Sequence, residues 1–267
     1  MKNILFLSLI TLSFILLNCK KNDNATAISK LTAMGGIQDS GIVVSFVYAE
    51  DKISHSNYEI FGSVNSEPFA NFEYSGNNDI KVSSLYSDLN IEFFLNDSKL
   101  PVRMTRHETG TDGTEYNSKA DFFYKPGTNV LDSVNGYYLN TTTSYIHFTF
   151  EYNGANISKA IRRQGPAMDI FSYVYDTQSN LFRSSDSLLY IYSNLFDQLT
   201  PLSSYYDYTF YSMIFFFPKV FSTSMLSAFS YTSGNTVVSG KLNYTLSDDN
   251  KVLKEWYGGY GREYIYK

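Results

Sequence analysis

The sequence contains very little cysteine, since Cys19 is its one cysteine in 267 residues. A fold held together by disulfides needs cysteines in pairs, so the class of disulfide-stapled secreted scaffolds is excluded. Histidine is also scarce. His55, His107 and His147 lie far apart and lack the close spacing that metal ligands usually show. Neither a metal site nor a cofactor is therefore expected.

The sequence also contains fewer basic than acidic residues. It has 21 lysines and arginines and 26 aspartates and glutamates, which gives a formal net charge of −5. Nucleic-acid binding normally requires a basic surface, so no nucleic-acid partner is expected. Long apolar runs are missing after Leu17. The stretch from Phe210 to Phe217 ends at Pro218 and is far shorter than the about 20 residues that a membrane-spanning helix needs.

The N-terminus has the pattern of an export signal. Lys2 precedes an apolar stretch from Ile4 to Leu17, which suits a signal peptide and is short for a membrane span. The residues Leu16-Leu17-Asn18-Cys19 resemble the lipobox of bacterial lipoproteins. The resemblance implies cleavage before Cys19 and attachment of lipid to the Cys19 sulfur. The alternative is an ordinary signal peptide followed by an incidental thiol.

The export signal divides the chain into three segments. Residues 1–18 are predicted to be the lipoprotein signal peptide. Residues 19–30 are polar without apolar periodicity, which is typical of a flexible tether. Residues 31–267 form the predicted β-rich domain. The expected location is the cell envelope, with the lipid in the outer membrane and the domain on its periplasmic or its outward side.

Aromatic residues are abundant, with 24 tyrosines and 21 phenylalanines, and flat aromatic rings favour β-strands. Most of them occur in a degenerate repeat, in which aromatic residues at alternate positions precede a polar turn and then an aliphatic segment. Residues at alternate positions share one face of a strand, so each unit predicts a β-hairpin. The units begin at Phe72, Phe122, Phe148, Phe171 and Leu242, with a weaker copy from Ile91 to Val102.

Hairpins in series predict a mainly β fold, an antiparallel meander that forms a twisted open sheet or a partial barrel. In the unit at Phe171 the return strand is expected at Leu181-Phe182-Arg183. One region interrupts the repeat, from about residue 187 to 229, where apolar residues are spaced nearer to a helical period. We expect a partly helical insertion there that covers a face or an edge of the sheet.

The segments Phe148–Arg163, Phe171–Arg183 and Leu242–Lys267 resemble the YD-repeat-like lipoproteins of unknown function of Bacteroidetes-type bacteria. Tyr173-Val174-Tyr175-Asp176 matches the family's Tyr-x-Tyr-Asp unit best, and the ending Tyr264-Ile265-Tyr266-Lys267 is similar. The resemblance implies a twisted antiparallel sheet at the cell surface or in the periplasm. It implies no catalytic residues, because the family carries no established activity.

One aromatic cluster is a candidate binding site. Trp256, Tyr257 and Tyr260 flank Gly258-Gly259, and aromatic faces stack on sugar rings through apolar contact. The alternative interpretation, packing of these rings within the last hairpin, is the more frequent outcome for such a cluster. We therefore predict glycan binding here only as a hypothesis.

Two polar clusters are weaker candidates. His107-Glu108 with Asp112 and Glu115 offers oxygen ligands for calcium but lacks the regular spacing of a calcium loop, so a solvated hairpin loop is the favoured interpretation. Arg162-Arg163 has the charge to pair with a carboxylate or phosphate, although solvent-facing ends of a return strand are favoured.

The function that follows is a membrane-anchored lipoprotein that is not an enzyme and serves as a binding or envelope-interaction module. Its expected partners are the membrane, through lipid on Cys19, and a glycan or an envelope protein. One alternative is a structural role in envelope assembly, in which the sheet pairs with other strands. A less favoured alternative is a hydrolase acting on polysaccharide, which requires two carboxylates facing each other in a cleft.

Overall fold

The computed structural model describes residues 31–36, 42–50, 52–60, 67–76, 78–84, 89–109, 113–138, 145–182, 217–257 and 260–266. These residues belong to one compact unit, Leu31–Lys267. The predicted signal peptide, Cys19 and the tether lie outside the described residues.

The described part of the chain consists almost entirely of β-strands. The first nine are β1 (Leu31–Gly36), β2 (Ile42–Ala49), β3 (Lys52–Ile60), β4 (Glu67–Ser75), β5 (Asp79–Ser84), β6 (Asn90–Leu95), β7 (Pro101–Thr109), β8 (Glu115–Tyr124) and β9 (Leu131–Tyr138). The others are β10 (Ile146–Asn153), β11 (Asn156–Gln164), β12 (Ala167–Ser179), β13 (Ser224–Ser233), β14 (Thr236–Lys241), β15 (Asn243–Leu246), β16 (Val252–Tyr257) and β17 (Tyr260–Tyr266). A short helical turn, α1, spans residues 217–221.

The strands belong to one sheet in which neighbours along the chain pair antiparallel. From β1 to β14 each strand pairs with the next one. Leu242 separates β14 from β15, and its N–H donates to the Ser227 carbonyl of β13 at 2.9 Å. β15, β16 and β17 follow, and β17 pairs with β1. The pairings therefore run from β15 through β16, β17 and β1 to β14, and the predicted mainly β antiparallel meander is confirmed.

One face of the sheet carries the core. In β10, Ile146, Phe148 and Phe150 are buried, while Glu151 is exposed on the opposite face. This alternation recurs along the sheet, and the buried side chains form a single apolar cluster. We call the face with the core the inner face and the opposite one the outer face. Burial of aromatic and aliphatic area on the inner face is the main stabilising contribution, at about 25 cal/mol per Å².

The aromatic repeat forms hairpins at most of the predicted positions. In four units the aromatic segment lies in one strand and the aliphatic segment in the next strand, and the two strands pair as a hairpin. These units begin at Phe72 in β4, Phe122 in β8, Phe148 in β10 and Leu242 just before β15. In the turn after β10, Gly154 has φ of +62°, a conformation that glycine adopts without steric cost. The weaker copy from Ile91 to Val102 is the hairpin of β6 and β7.

The last tyrosine of four repeat units has a common role. Each one donates its hydroxyl proton to a backbone carbonyl of an earlier strand. The bonds are Tyr124 to Pro101, Tyr152 to Leu131, Tyr175 to Ile157 and Tyr244 to Leu226, each 2.7 Å long. Tyrosine is required at this position because phenylalanine supplies the same ring without a donor.

Two boundaries predicted from the sequence are wrong. Leu181 and Phe182 do not begin a return strand; they lie in a turn, and the strand that pairs with β12 is β13. The insertion does not extend to residue 229, because Ser224–Phe229 already belong to β13. Met225, Leu226 and Phe229 are its buried residues, and this irregular spacing imitates a helical period. Residues 183–216 of the insertion lie outside the described part of the chain.

Candidate functional site

The aromatic cluster predicted near the C-terminus is divided between the two faces of the sheet. Trp256 and Tyr257 are neighbours on β16, so their side chains point in opposite directions. Trp256 lies on the outer face and is 36% exposed. Tyr257 is half-buried on the inner face, and the side chain of Tyr260 lies outside the described residues. Trp256 and Tyr257 do not form one stacking surface, so the predicted glycan contact depends on Trp256.

Tyr257 has a clear structural role. Its ring covers Gly240 of β14 so closely that a Cβ at Gly240 would lie 1.7 Å from ring atom Cε2. The same ring meets Phe229 edge-on, with centroids 4.8 Å apart, and its hydroxyl lies 3.4 Å from the Ser239 carbonyl. Tyr257 therefore packs against β13 and β14, and not within the last hairpin as the alternative interpretation predicted.

The described end of the insertion packs against the inner face. Phe217 of α1 is 1% exposed, and its ring lies 5.2 Å from Phe148 and 4.7 Å from Phe150, measured between centroids. Phe221 approaches Tyr124 at 6.5 Å. These contacts fill the inner space beside β8 and β10 with aromatic side chains.

Polar side chains fix the C-terminal side of α1. The Asn180 amide nitrogen donates to the carbonyls of Pro218, Lys219 and Ser222. On β11, the Asn156 side-chain oxygen accepts from the backbone N–H groups of Thr223 and Ser224 at 2.8 and 3.0 Å.

Ser222 connects α1 to the sheet through a short hydrogen-bonded chain. Its hydroxyl accepts from the Ile157 N–H at 3.0 Å and donates to the Tyr175 hydroxyl at 2.8 Å. Tyr175 in turn donates to the Ile157 carbonyl at 2.7 Å. Ser222 is fully buried, so these bonds satisfy polar groups that have no access to water.

A buried ion pair joins α1 to the inner face of the sheet. Lys219 Nζ is 2.5 Å from Glu255 Oε1, and the Tyr264 hydroxyl donates to the same oxygen at 2.8 Å. Lys219 also lies over the Phe182 ring, 4.4 Å from its centroid. The pair therefore joins the insertion to β16 and β17. The sequence signal for it is a lysine within the apolar stretch Phe215-Phe216-Phe217-Pro218-Lys219-Val220-Phe221, because a charge in such a stretch needs a partner when it is buried.

The two arginines predicted at a strand end differ in environment. Arg162 is on the inner face, where its Nε lies 2.8 Å from Asp169 Oδ2, and Asp169 is 3% exposed. The Tyr231 hydroxyl lies 3.3 Å from the other oxygen of Asp169. Arg163 is exposed. Arg162 therefore has the acidic partner that was considered for these arginines. Arg163 faces solvent, as was favoured for both.

The histidines lie on the outer face, and each is held through Nδ1. His107 and Asn117 are 2.9 Å apart, His147 and Asn135 also share a hydrogen bond, and His55 contacts the Ser54 hydroxyl at 3.0 Å. In each His–Asn pair the partners are directly opposite on neighbouring strands.

No group of three metal-ligating side chains occurs among the described residues. In the acidic cluster for which a solvated hairpin loop was favoured over a calcium site, Glu108 bonds Arg106 on the inner face and Asn117 donates to Glu115 at 3.3 Å, while Asp112 lies outside the described residues. No described helix is long and apolar enough to cross a membrane.

Burial keeps the tyrosines of the inner face protonated. Desolvation raises the pKa of Tyr152, Tyr173, Tyr175 and Tyr244 well above the usual tyrosine value. Burial also raises the pKa of Tyr266, to about 12, with a further contribution from Asp249. At neutral pH these hydroxyls are donors, as the tyrosine–carbonyl bonds require.

Comparison with solved structures shows where this fold occurs. The chain is similar to a porin-like protein from Bacteroides uniformis ATCC 8492, with a TM-score of 0.55 and 10% sequence identity over 89% of this chain and 98% of that one. It is also similar to a porin-like protein from Bacteroides vulgatus ATCC 8482, with a TM-score of 0.53 and 14% identity over 90% of this chain and 99% of that one. At such identities the likeness concerns the fold.

No protein-family model and no curated protein matches the sequence. The resemblance to YD-repeat-like lipoproteins therefore stays a prediction based on the residues that carry it.

Proposed function

We propose that this chain is a lipid-anchored protein of the bacterial cell envelope, whose domain lies in water beside the membrane and acts as a non-enzymatic binding module. Cys19 carries the lipid in this proposal. The tether of residues 19–30 joins it to β1. The outer face of the sheet is the surface that partners meet.

The observation that carries the proposal is the charge of the outer face. Arg103 and Asp121 form an ion pair at 2.7 Å between β7 and β8, and Lys159 and Glu151 form one at 2.8 Å between β10 and β11. A charged side chain costs about 2.5–3.5 kcal/mol or more at the centre of a bilayer. A sheet with such pairs on its outer face is stable in water.

Two further observations support the proposal. The inner space beside β8 and β10 is filled by Phe217 and Phe221, so a partner is met from outside. The structural neighbours from Bacteroides are described as porin-like, and porins are envelope proteins. We extend the envelope location to this chain on that ground and on the lipobox-like Leu16–Cys19.

Lipid attachment is tested by substitution of Cys19 in the full chain. Cys19→Ala should abolish incorporation of labelled palmitate and leave the signal peptide uncleaved, because the thiol is the acyl acceptor. Asn18→Ala is the matched control, which keeps the thiol and should be acylated. Equal palmitate incorporation in the Cys19→Ala variant would refute the anchor.

Glycan binding is tested through the outer-face tryptophan. Trp256 is the one tryptophan of the chain, so its fluorescence reports on this surface alone. Titration with neutral and acidic polysaccharides should shift its emission, and Trp256→Ala should lose binding measured by calorimetry. Tyr257→Phe, on the inner face, should bind as before. If no glycan binds to the natural chain, the binding module has protein partners instead.

A further inference from the structure

A groove lies on the outer face of strands β4, β5 and β6, beside the turn between β4 and β5. Its volume is about 280 Å³, close to the lower limit of small-molecule sites. The side chains that line it are Glu73, Ser75, Asp79, Lys81, Glu92 and Phe94. Tyr74, Ile80 and Phe93 alternate with them along the strands and pack in the core, so they present their backbone to the groove.

The first wall of the groove is a row of charged side chains. Lys81 of β5 is directly opposite Glu73 of β4 on one side and Glu92 of β6 on the other. Directly paired residues share one face of the sheet, with Cβ atoms about 4.5–5.5 Å apart. Glu92 also accepts from the Thr105 hydroxyl at 3.5 Å. The row therefore presents acceptor, donor and acceptor in sequence.

The second wall adds an aromatic ring. Asp79 of β5 lies directly between Ser75 of β4 and Phe94 of β6, and the ring of Phe94 is half-buried on the outer face. Among the described residues no three acidic or histidine side chains converge as a metal ion requires. The groove therefore suits an organic ligand with one apolar face.

The charges of the first wall are not paired with one another. On β10 and β11, Glu151 and Lys159 are in direct contact at 2.8 Å. Lys81, in contrast, forms no ion pair with Glu73 or Glu92 in the described part of the chain, although it lies opposite both. Its ammonium group and the two carboxylates are therefore available to a ligand that lies between them.

We infer that this groove binds one neutral sugar residue. Sugar hydroxyls donate to the carboxylates of Glu73 and Glu92 and accept from Lys81, and hydrogen bonds with an ionised partner are the stronger kind. The apolar face of the sugar ring lies on Phe94. The inference rests on the proposed function, because it requires an outer face that is in water.

Charge decides between neutral and acidic sugars. The groove contains three carboxylates, from Glu73, Asp79 and Glu92, against the one ammonium group of Lys81. A sugar that carries a carboxylate would place like charges at close range, which costs binding free energy. A neutral sugar meets no such repulsion and still makes every hydrogen bond.

Saturation-transfer NMR of the full chain in detergent micelles tests the groove. The probes are the methyl glycosides of glucose, galactose, mannose and xylose, and at least one should bind. The matched glucuronide or galacturonide should bind at least about tenfold more weakly, because like charges repel.

Substitutions locate the site. Glu73→Gln and Lys81→Met should each weaken binding of the sugar by about tenfold or more, since each removes a hydrogen bond with a charged partner. Glu151→Gln is the matched control, because it neutralises a carboxylate of the outer face that lies on β10. It should bind the sugar as the natural chain does, and circular dichroism checks that all variants fold.

Three results would overturn the inference. They are absence of binding by all four neutral probes, equal binding of the matched acidic sugar, and an equal loss of affinity in Glu73→Gln and Glu151→Gln. Trp256→Ala should keep the binding of single sugars, because Trp256 lies on β16. Loss in that variant alone would place the sugar at Trp256, which contradicts the groove and leaves the proposed function intact.

Discussion

Lys219 and Glu255 form an ion pair on the inner face of the sheet, with Nζ and Oε1 2.5 Å apart. Their side chains are only 4% and 7% exposed. The pair joins α1 to β16 across the inner space. Removal of one partner of a buried pair leaves an uncompensated charge, which costs about 3–5 kcal/mol. Replacement of both partners by apolar residues of similar volume is often nearly neutral.

We therefore expect Lys219→Met to lower the free energy of unfolding in urea by about 3–5 kcal/mol. The double variant Lys219→Met with Glu255→Leu should recover most of this loss, although it leaves Tyr264 without its acceptor. If the single and double variants are equally unstable, the lysine acts through packing and the charge pairing is not its role.

The tyrosine–carbonyl bonds predict a common stability effect. Tyr175→Phe keeps the ring but removes the donor to Ile157, and Tyr244→Phe does the same for Leu226. Each should lower the free energy of unfolding by about 1–3 kcal/mol, because a partly buried carbonyl loses its partner. Tyr145→Phe, at a tyrosine that is 41% exposed, serves as the control and should change it by less than about 0.5 kcal/mol. An equal effect of all three substitutions would contradict this role.

The buried tyrosines also predict sensitivity to alkali. Burial raises the pKa of Tyr175 well above the usual tyrosine value, which is about 10, and that of Tyr266 to about 12. Below pH 10 both states hold the protons, so stability does not vary through these groups. Above it the unfolded chain ionises first, and stability falls by about 1.4 kcal/mol per pH unit for each such tyrosine.

Absorbance of tyrosinate and circular dichroism should therefore change together above pH 10, as ionisation accompanies unfolding. Tyr175→Phe should reduce the loss of stability per pH unit by the contribution of one buried tyrosine. Ionisation of all tyrosines at their usual pKa while the fold persists would show that the inner face is open to solvent.

The contact of Gly240 with Tyr257 predicts a steric effect. An alanine Cβ at residue 240 would lie 1.7 Å from the Tyr257 ring, so Gly240→Ala should cost about 1–3 kcal/mol through displacement of the ring. In a background of Tyr257→Ala the same substitution should cost much less. A double-mutant cycle in thermal unfolding measures the difference, and a cycle without coupling would contradict the contact.

The sequence predicts the hairpins well because their information is local. In the unit from Phe148, the alternating aromatic residues, the turn at Gly154 and the aliphatic return segment all lie within one hairpin. The division of Trp256 and Tyr257 between two faces is also predictable, since consecutive strand residues alternate.

The errors arise where contacts are distant in the sequence. β12 pairs with β13, which begins more than 40 residues further along the chain. Just beyond the ends of these strands, Asn180 contacts Ser222 at a separation of 42 residues. No local pattern indicates that the strand continues past Asp176 or that Leu181-Phe182 turns inward. The partner of Lys219 is 36 residues away, so its burial is visible in the sequence but the identity of Glu255 is not.

The measurement that tests the account most directly is release of the domain by cleavage in the tether. A specific protease site inserted between Lys20 and Lys30 should, on digestion of isolated membranes, free a folded domain into the supernatant, while the acylated Cys19 peptide stays in the pellet. Retention of the cleaved domain in the membrane after high-salt washing would contradict an outer face in water and a lipid anchor as its sole attachment.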